Sequence, residues 1–307
     1  MSNDGWIDLQ VNGRFGIAFD SPSLTLENII SLTRRLVEEK TKGYLPTIIT
    51  AAFPEIALRN AKLIKLAKEI DPVCNNAILG IHLEGPFISP KPGYVGAHKA
   101  EKTLPCDISL IDELQKECDG LVKLITIAAE TEGAEAFTEE ATNRGIAISI
   151  GHGEEWRPNI LENLANKGAV SLTHVGNGIP ALLPRHDNII LSALAQERLT
   201  VMFIPDGFHL PDHVIKVFLK AMPIEKLIAV SDCAFPGGLP PGEYEMNGVK
   251  SYLEPNGFLR SAVGTLNGSS CSLSQAVDVL RRIGASESVC KALAHDNPLK
   301  LIGIGIK

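Results

Sequence analysis

The residues able to do chemistry in this chain stand where short apolar runs stop. Ala77-Ile78-Leu79-Gly80-Ile81 leads through His82 and Leu83 into Glu84, and Gly85-Pro86 then turns the chain away. Residues 146–150 run into Gly151-His152-Gly153, residues 170–173 into His174, and Ile228-Ala229-Val230 into Ser231-Asp232. A carboxylate at the end of a buried strand is costly to leave unpaired. Two imidazoles and one carboxylate can hold a divalent ion and leave a fourth tetrahedral position for water, the layout of catalytic rather than structural zinc sites. Asp232 then stands as the general base for that water. Each residue alone also has an ordinary reading: a hydrogen-bonded histidine, a salt-bridged or helix-capping Glu84, an aspartate in a turn. Repetition at several strand ends is what carries the metal reading. Cys233 reads as a small buried thiol, and His82, His186, His213 and His295 as surface or packing residues.

The elements that position these groups follow a regular rhythm. Strands are expected at 7–11, 44–50, 77–83, 122–127, 146–150, 170–173, 200–204 and 227–231. Helical spacing follows most of them, at 24–39, 54–69, 108–117, 132–144, 157–167, 189–197 and 212–221. Such alternation implies parallel crossovers closing into a (β/α)₈ TIM-type barrel, whose strands share one mouth at their carboxyl ends. After Asp232 the pattern changes. Two Pro/Gly clusters precede a small hairpin expected over 244–253, turning at Asn247-Gly248, and helices at 272–282 and 286–294 close the chain. With no internal repeat or linker, residues 1–307 read as one domain.

Composition narrows the function classes. The chain has 307 residues, 45% hydrophobic and 21% charged, which suits a large core and argues against disorder. Its net charge of -7 is spread over mixed acidic and basic residues, with no basic run to suggest nucleic acid. The N-terminus lacks a signal pattern, and no apolar run is long enough for a membrane span. The six cysteines are scattered without short-spaced pairs, as expected of reduced thiols in a cytoplasmic protein.

Taken in order, Glu84 in HLEGPF, His98 in GAH, His152 after glycine, His174 and Asn177 in THxxN, His209 in DGxH, Asp232 in SD and the later GTLNGS over 264–269 resemble the N-acetylglucosamine-6-phosphate deacetylase family of the amidohydrolase superfamily. The resemblance runs from Trp6 to about Gly305. It implies Glu84, His152 and His174 as metal ligands. It implies that Asp232 takes a proton from the attacking water and returns it to the leaving amine. His98, Asn177, Arg185 and His209 sit where the family contacts sugar, acetyl group or phosphate. Amide hydrolysis needs an activated water, a stabilised oxyanion and a protonated leaving nitrogen, which agrees with these residue types.

The chain also departs from that pattern. Many amidohydrolases carry a His-x-His pair on the first strand, where this chain has Gln10 and Asn12, here counted among the substrate-side residues. The exchange implies one divalent ion per chain: zinc, iron or another. Gly176 replaces an aromatic, and His186-Asp187-Asn188 replaces Glu-Pro-Gly after Arg185. The small β-domain of relatives is expected to be absent, leaving apolar groups near Trp6 and 301–304 bare and favouring a homo-oligomer. The expected substrate is N-acetylglucosamine 6-phosphate. The competing readings are another N-acetylated amino sugar and a sugar-binding barrel without turnover.

Overall fold

Eight parallel strands succeed one another in chain order: β1 (Trp6–Val11), β2 (Thr41–Ile49), β3 (Ile81–Glu84), β4 (Val122–Ile127), β5 (Ala147–Ile150), β6 (Ala169–Leu172), β7 (Thr200–Phe203) and β8 (Leu227–Ala229). The structure is a computed structural model describing residues 5–246 and 248–305. Successive side chains of a strand point to opposite faces, and the buried residues divide accordingly. Leu9, Leu45, Leu124, Met202 and Ile228 form one cluster inside the barrel. Tyr44, Ile48, Ile125, Phe203 and Ala229 belong to the larger cluster shared with the surrounding helices. The barrel closes between β8 and β1 through side chains and through backbone just past the end of β8, where the Asn12 and Gly13 amides donate to the Cys233 carbonyl at 3.0 Å. The Ser231 N–H donates to Asp8 Oδ1 at 3.1 Å, the Ser231 hydroxyl donates to the Gln10 carbonyl at 3.3 Å, and Val11 bridges Cys233. This is the (β/α)₈ barrel that the sequence rhythm implies.

The helices are α1 (Leu26–Glu38), α2 (Glu55–Ile70), α3 (Pro72–Ala77), α4 (Ile108–Glu117), α5 (Ala134–Asn143), α6 (Pro158–Asn166), α7 (Ile189–Leu194) and α8 (Asp212–Ala221), with α9 (Leu273–Arg282), α10 (Glu287–Lys291) and α11 (Asn297–Leu301) after them. Helix α3 corrects the expected third strand, which starts at Ile81 and not Ala77. Asp71 caps α3 by accepting from the Val73 and Cys74 amides at 2.9 and 3.0 Å, and Pro72 is preorganised for the first turn. An apolar run alone cannot separate a buried strand from a buried helix end. The expected last helix ends sooner, at Lys291, and continues as a π-helical turn over Ala292–Asp296 into α11. None of the described helices is long and apolar enough to cross a membrane.

A second sheet follows β8: β9 (Gly242–Met246), β10 (Val249–Leu253) and β11 (Leu259–Ser261), all antiparallel. The expected hairpin is its first pair. Asn247 of the expected turn lies outside the described residues. The third strand is too short to show a period-two pattern in sequence. The flank expected to be bare is partly covered: Leu301, Ile302 and Ile304 pack on the inner cluster, and the Arg281 guanidinium lies 5.6 Å from the Trp6 ring centre.

Helix α1 offers a clean stability test. Thr25 Oγ1 accepts from the Asn28 amide at 3.2 Å, and Asn28 Oδ1 accepts from the Thr25 amide at 3.1 Å, a reciprocal cap. Thr25→Ala is expected to lower unfolding free energy by about 1 kcal/mol in a denaturant titration, with turnover unchanged.

Candidate active site

Every chemistry-bearing strand end opens on one cavity of 690 Å³, lined among others by Asn12, Glu84, His98, His152, His174, Asn177, His209 and Asp232. Glu84 is the last residue of β3 and is buried. Gly85 then turns with φ 81°, and a Cβ there would fall 2.2 Å from Thr50 Oγ1, so only glycine lets the chain leave the strand this way.

Three donor atoms converge at the base of the cavity. His174 Nε2 is 2.8 Å from Glu84 Oε1, His152 Nε2 is 3.3 Å from the same oxygen, and the two Nε2 atoms are 3.0 Å apart. His152 Nδ1 lies 2.8 Å from the Tyr94 carbonyl. A carbonyl only accepts, so Nδ1 carries the proton and Nε2 presents a lone pair. That lone pair faces a carboxylate oxygen, itself an acceptor, and a cation placed between the two satisfies both. A tetrahedral ion with bonds of about 2.0–2.1 Å separates its donors by about 3.3–3.4 Å, close to the spacing found. The residues therefore fit a divalent metal.

Backbone and packing hold this geometry. His152, His174 and Asp232 all have positive φ, at 51°, 27° and 50°, a region non-glycine residues seldom occupy unless their surroundings hold them there. The His152 ring is wedged between glycines. A Cβ at Gly178 would lie 2.8 Å from its Nδ1, and one at Gly96 would lie 3.0 Å from its Cε1. Gln10 is fully buried and does not line the cavity, contrary to its expected substrate contact. Its Nε2 donates to Glu84 Oε1 at 2.7 Å instead. Asn12 does line the cavity, and its Nδ2 donates to Asp232 Oδ1 at 2.7 Å. The two amides that stand in the place of His-x-His thus orient the two carboxylates.

Electrostatics separate those carboxylates. Burial opposes ionisation of Glu84, but the adjacent His152 and His174 imidazoles overrule it and hold the acid well below the usual carboxylate range. Burial, then the charge of Glu84, push Asp232 up to about 6. Two carboxylates whose environments drive them apart can take different roles.

The remaining expected residues divide. His98 lies with Nε2 3.7 Å from Glu84 Oε2 and its ring edge-on to His152, so it borders the cation site more closely than a sugar contact requires. One donor each from Glu84, His98 and His152 fall within 4.8 Å of one another. Burial, then the neighbouring His152 ring, push His98 down to about 3, so it is neutral. Asn177 lines the cavity and donates to the His174 carbonyl at 3.2 Å. His209 lines it too, with Nδ1 2.7 Å from Asp206 Oδ2. Asp206 was not foreseen, although it stands three residues before His209 in DGxH. Arg185 is exposed and does not line this cavity. Its altered neighbour Asn188 caps α7 by accepting from the Leu191 amide at 3.1 Å, and Gly176 leaves room for Leu210, which a Cβ would meet at 2.8 Å. His82 packs below the site, with Nε2 2.8 Å from Thr126 Oγ1.

A (β/α)₈ barrel with a carboxylate–imidazole cation site and a second, differently poised carboxylate at its mouth defines a metal-dependent hydrolase of the amidohydrolase type. No protein-family model matches the chain. It is 31% identical over 303 residues to an N-acetylglucosamine-6-phosphate deacetylase of Bacillus subtilis, covering 98% of this chain and 75% of that one. It is 24% identical to an N-acetylgalactosamine-6-phosphate deacetylase of Escherichia coli, covering 97% and 77%. Its fold resembles the crystal structure of N-acetylglucosamine-6-phosphate deacetylase from Pasteurella multocida with a TM-score of 0.86 at 24% identity, covering 98% and 76%. The chain belongs to the N-acetylglucosamine-6-phosphate deacetylase family.

Proposed function

We propose that this protein hydrolyses the acetamide of N-acetylglucosamine 6-phosphate to glucosamine 6-phosphate and acetate. The observation that carries the reading is the convergence of Glu84 Oε1, His152 Nε2 and His174 Nε2 within 3.3 Å, beside the separately poised Asp232. Glu84, His152 and His174 hold one divalent ion per chain, with zinc the best match to two imidazoles and a carboxylate. When bound, that ion supplies Lewis-acid polarisation of the acetyl carbonyl and activation of water. Asp232 accepts a proton from the attacking water and returns it to the amine nitrogen as the C–N bond breaks. Asn12 keeps the Asp232 carboxylate turned toward the reaction by its 2.7 Å bond. His98, Asn177 and His209 orient the sugar and the acetyl group.

The described residues act as one catalytic unit. Six unpaired cysteines support a reducing, cytoplasmic setting. Exposed Leu182 on the loop after β6, Leu191 on α7 and Phe208 on the loop after β7 support a homo-oligomer.

The test is acetate release from a panel of N-acetylglucosamine and N-acetylgalactosamine, each with and without a 6-phosphate, using metal-loaded protein. Turnover is expected to be highest on N-acetylglucosamine 6-phosphate. Metal-loaded protein that binds these sugars and releases no acetate overturns the reading in favour of a binding barrel.

A further inference from the structure

Beneath the cation site runs a chain of buried hydroxyls that starts on a histidine. His82 Nε2 is 2.8 Å from Thr126 Oγ1, Thr126 Oγ1 is 2.8 Å from Thr173 Oγ1, and Thr173 donates to Ser149 Oγ at 2.6 Å. His82, Thr126, Thr173 and Ser149 are all buried. The direction of the bonds follows from counting protons, since a hydroxyl has one to give. Thr173 gives its proton to Ser149 and therefore accepts from Thr126. Thr126 has then used its own proton and accepts from the imidazole, so His82 donates through Nε2–H. Each link stands beside a residue of the site. His82 lies two residues before Glu84 on β3, on the same face of the strand. Thr126 pairs in register with Glu84 on one side and with Ser149 on the other. Thr173 directly precedes His174, whose φ of 27° needs its surroundings to hold it. Gly151 directly precedes His152, and a Cβ there would lie 2.8 Å from Thr173 Cβ and 3.1 Å from Thr126 Cγ2. The missing side chain lets the hydroxyl chain close under both imidazoles.

We propose that His82 is a positioning residue for the reaction, its Nε2–H anchoring the hydroxyl chain that holds Glu84, His152 and His174 at the separations a divalent ion needs. The inference rests on the deacetylase reading above and adds a residue below the cavity to it. Packing alone would be served by an apolar side chain, because burying an imidazole and hydroxyls is unfavourable unless each is paired. Here they pair with one another across β3, β4, β5 and the end of β6. A satisfied buried network fixes one rotamer at each member and stiffens the backbone that carries it. On the opposite side Thr47 Oγ1 lies 3.4 Å from His82 Nδ1 and accepts from the Val11 amide at 3.0 Å, which ties the ring to β2 and β1.

The experiment compares wild type with His82→Gln, His82→Asn, His82→Leu and Thr126→Val. The probe is Zn²⁺ alone, its affinity read by competition with a chromophoric chelator. Acetate release from N-acetylglucosamine 6-phosphate is then read on protein saturated with the ion. His82→Leu and Thr126→Val are each expected to weaken Zn²⁺ binding about ten- to hundredfold, the range for outer partners of metal ligands, and to lower kcat with KM little changed. The double variant His82→Leu with Thr126→Val should lose little more than either alone, since both break one chain. The glutamine amide reaches the place of Nε2 and donates, so His82→Gln should recover most of the affinity. The shorter asparagine reaches only the place of Nδ1 and should not. A merely structural role would move the melting temperature without producing this order. Wild-type Zn²⁺ affinity in Thr126→Val, which keeps the shape of the side chain, overturns the inference, as does equal affinity in His82→Gln and His82→Asn. A wild type that binds Zn²⁺ and releases no acetate refutes the deacetylase reading alone, because the affinity comparison still decides the role of His82.

Discussion

Glu84→Gln is expected to remove the bound ion and the activity together. The carboxylate offers Oε1 to both imidazoles and to the Gln10 amide at 2.7–3.3 Å, so its charge is what balances a cation here. Glutamine keeps the shape, but one of its two terminal atoms is an NH₂ that repels a cation. Gln10 Nε2, already a donor, would then face a second amide and can no longer fix the orientation of residue 84. Loss of a supporting contact typically lowers metal affinity 10–100-fold, and loss of a ligand charge should exceed about 100-fold. Elemental analysis after dialysis should find the variant nearly metal-free, with acetate release reduced by at least the same factor. Full metal content in Glu84→Gln would remove Glu84 from the ligand set.

Asp232→Asn should separate turnover from metal binding. Asn12 Nδ2 donates to Asp232 Oδ1, and asparagine can keep that bond through its carbonyl oxygen, so the local structure survives. The proton shuttle does not survive. A loss of kcat on the order of 10²–10⁴-fold is expected, the range for a positioned acid–base group. Metal content should stay near that of wild type.

The pH dependence follows from the same residue. Asp232 acts as a base only when ionised, and burial with the Glu84 charge raises it to about 6. Wild-type activity should therefore fall below that pH, tenfold per unit, with a midpoint at or below about 6 because a bound cation favours the carboxylate. The linkage runs the opposite way for stability. A carboxyl raised when folded binds protons more readily in the native state than in the unfolded one. Its burial therefore costs stability above about pH 6, and the cost relaxes as pH falls through that value. In metal-free protein, Asp232→Asn should be at least as stable as wild type at pH 7 by thermal melting. A lower melting temperature there would mean that the carboxylate also has a structural role.

The sequence by itself determined the barrel and most of the address of the site. Strand and helix periodicity is a local property, and the apolar runs that lead into Glu84, His152, His174 and Asp232 survive in the fold as strands. Parallel strands bring their carboxyl ends to one mouth whatever the details, so order along the chain was enough to gather these groups. The tertiary structure alone decided how they face. Gln10 turned out to serve Glu84, and Asn12 to serve Asp232, because the register of β1 shifts between Asp8 and Val11. The paths of loops 86–107 and 175–188 carry no period that sequence could reveal. Long-range packing put Lys99 in the cavity wall, left Arg185 outside, and set His98 against His152. It also closed the barrel through Asp8 and Ser231, residues 223 positions apart, whose contact no local pattern encodes.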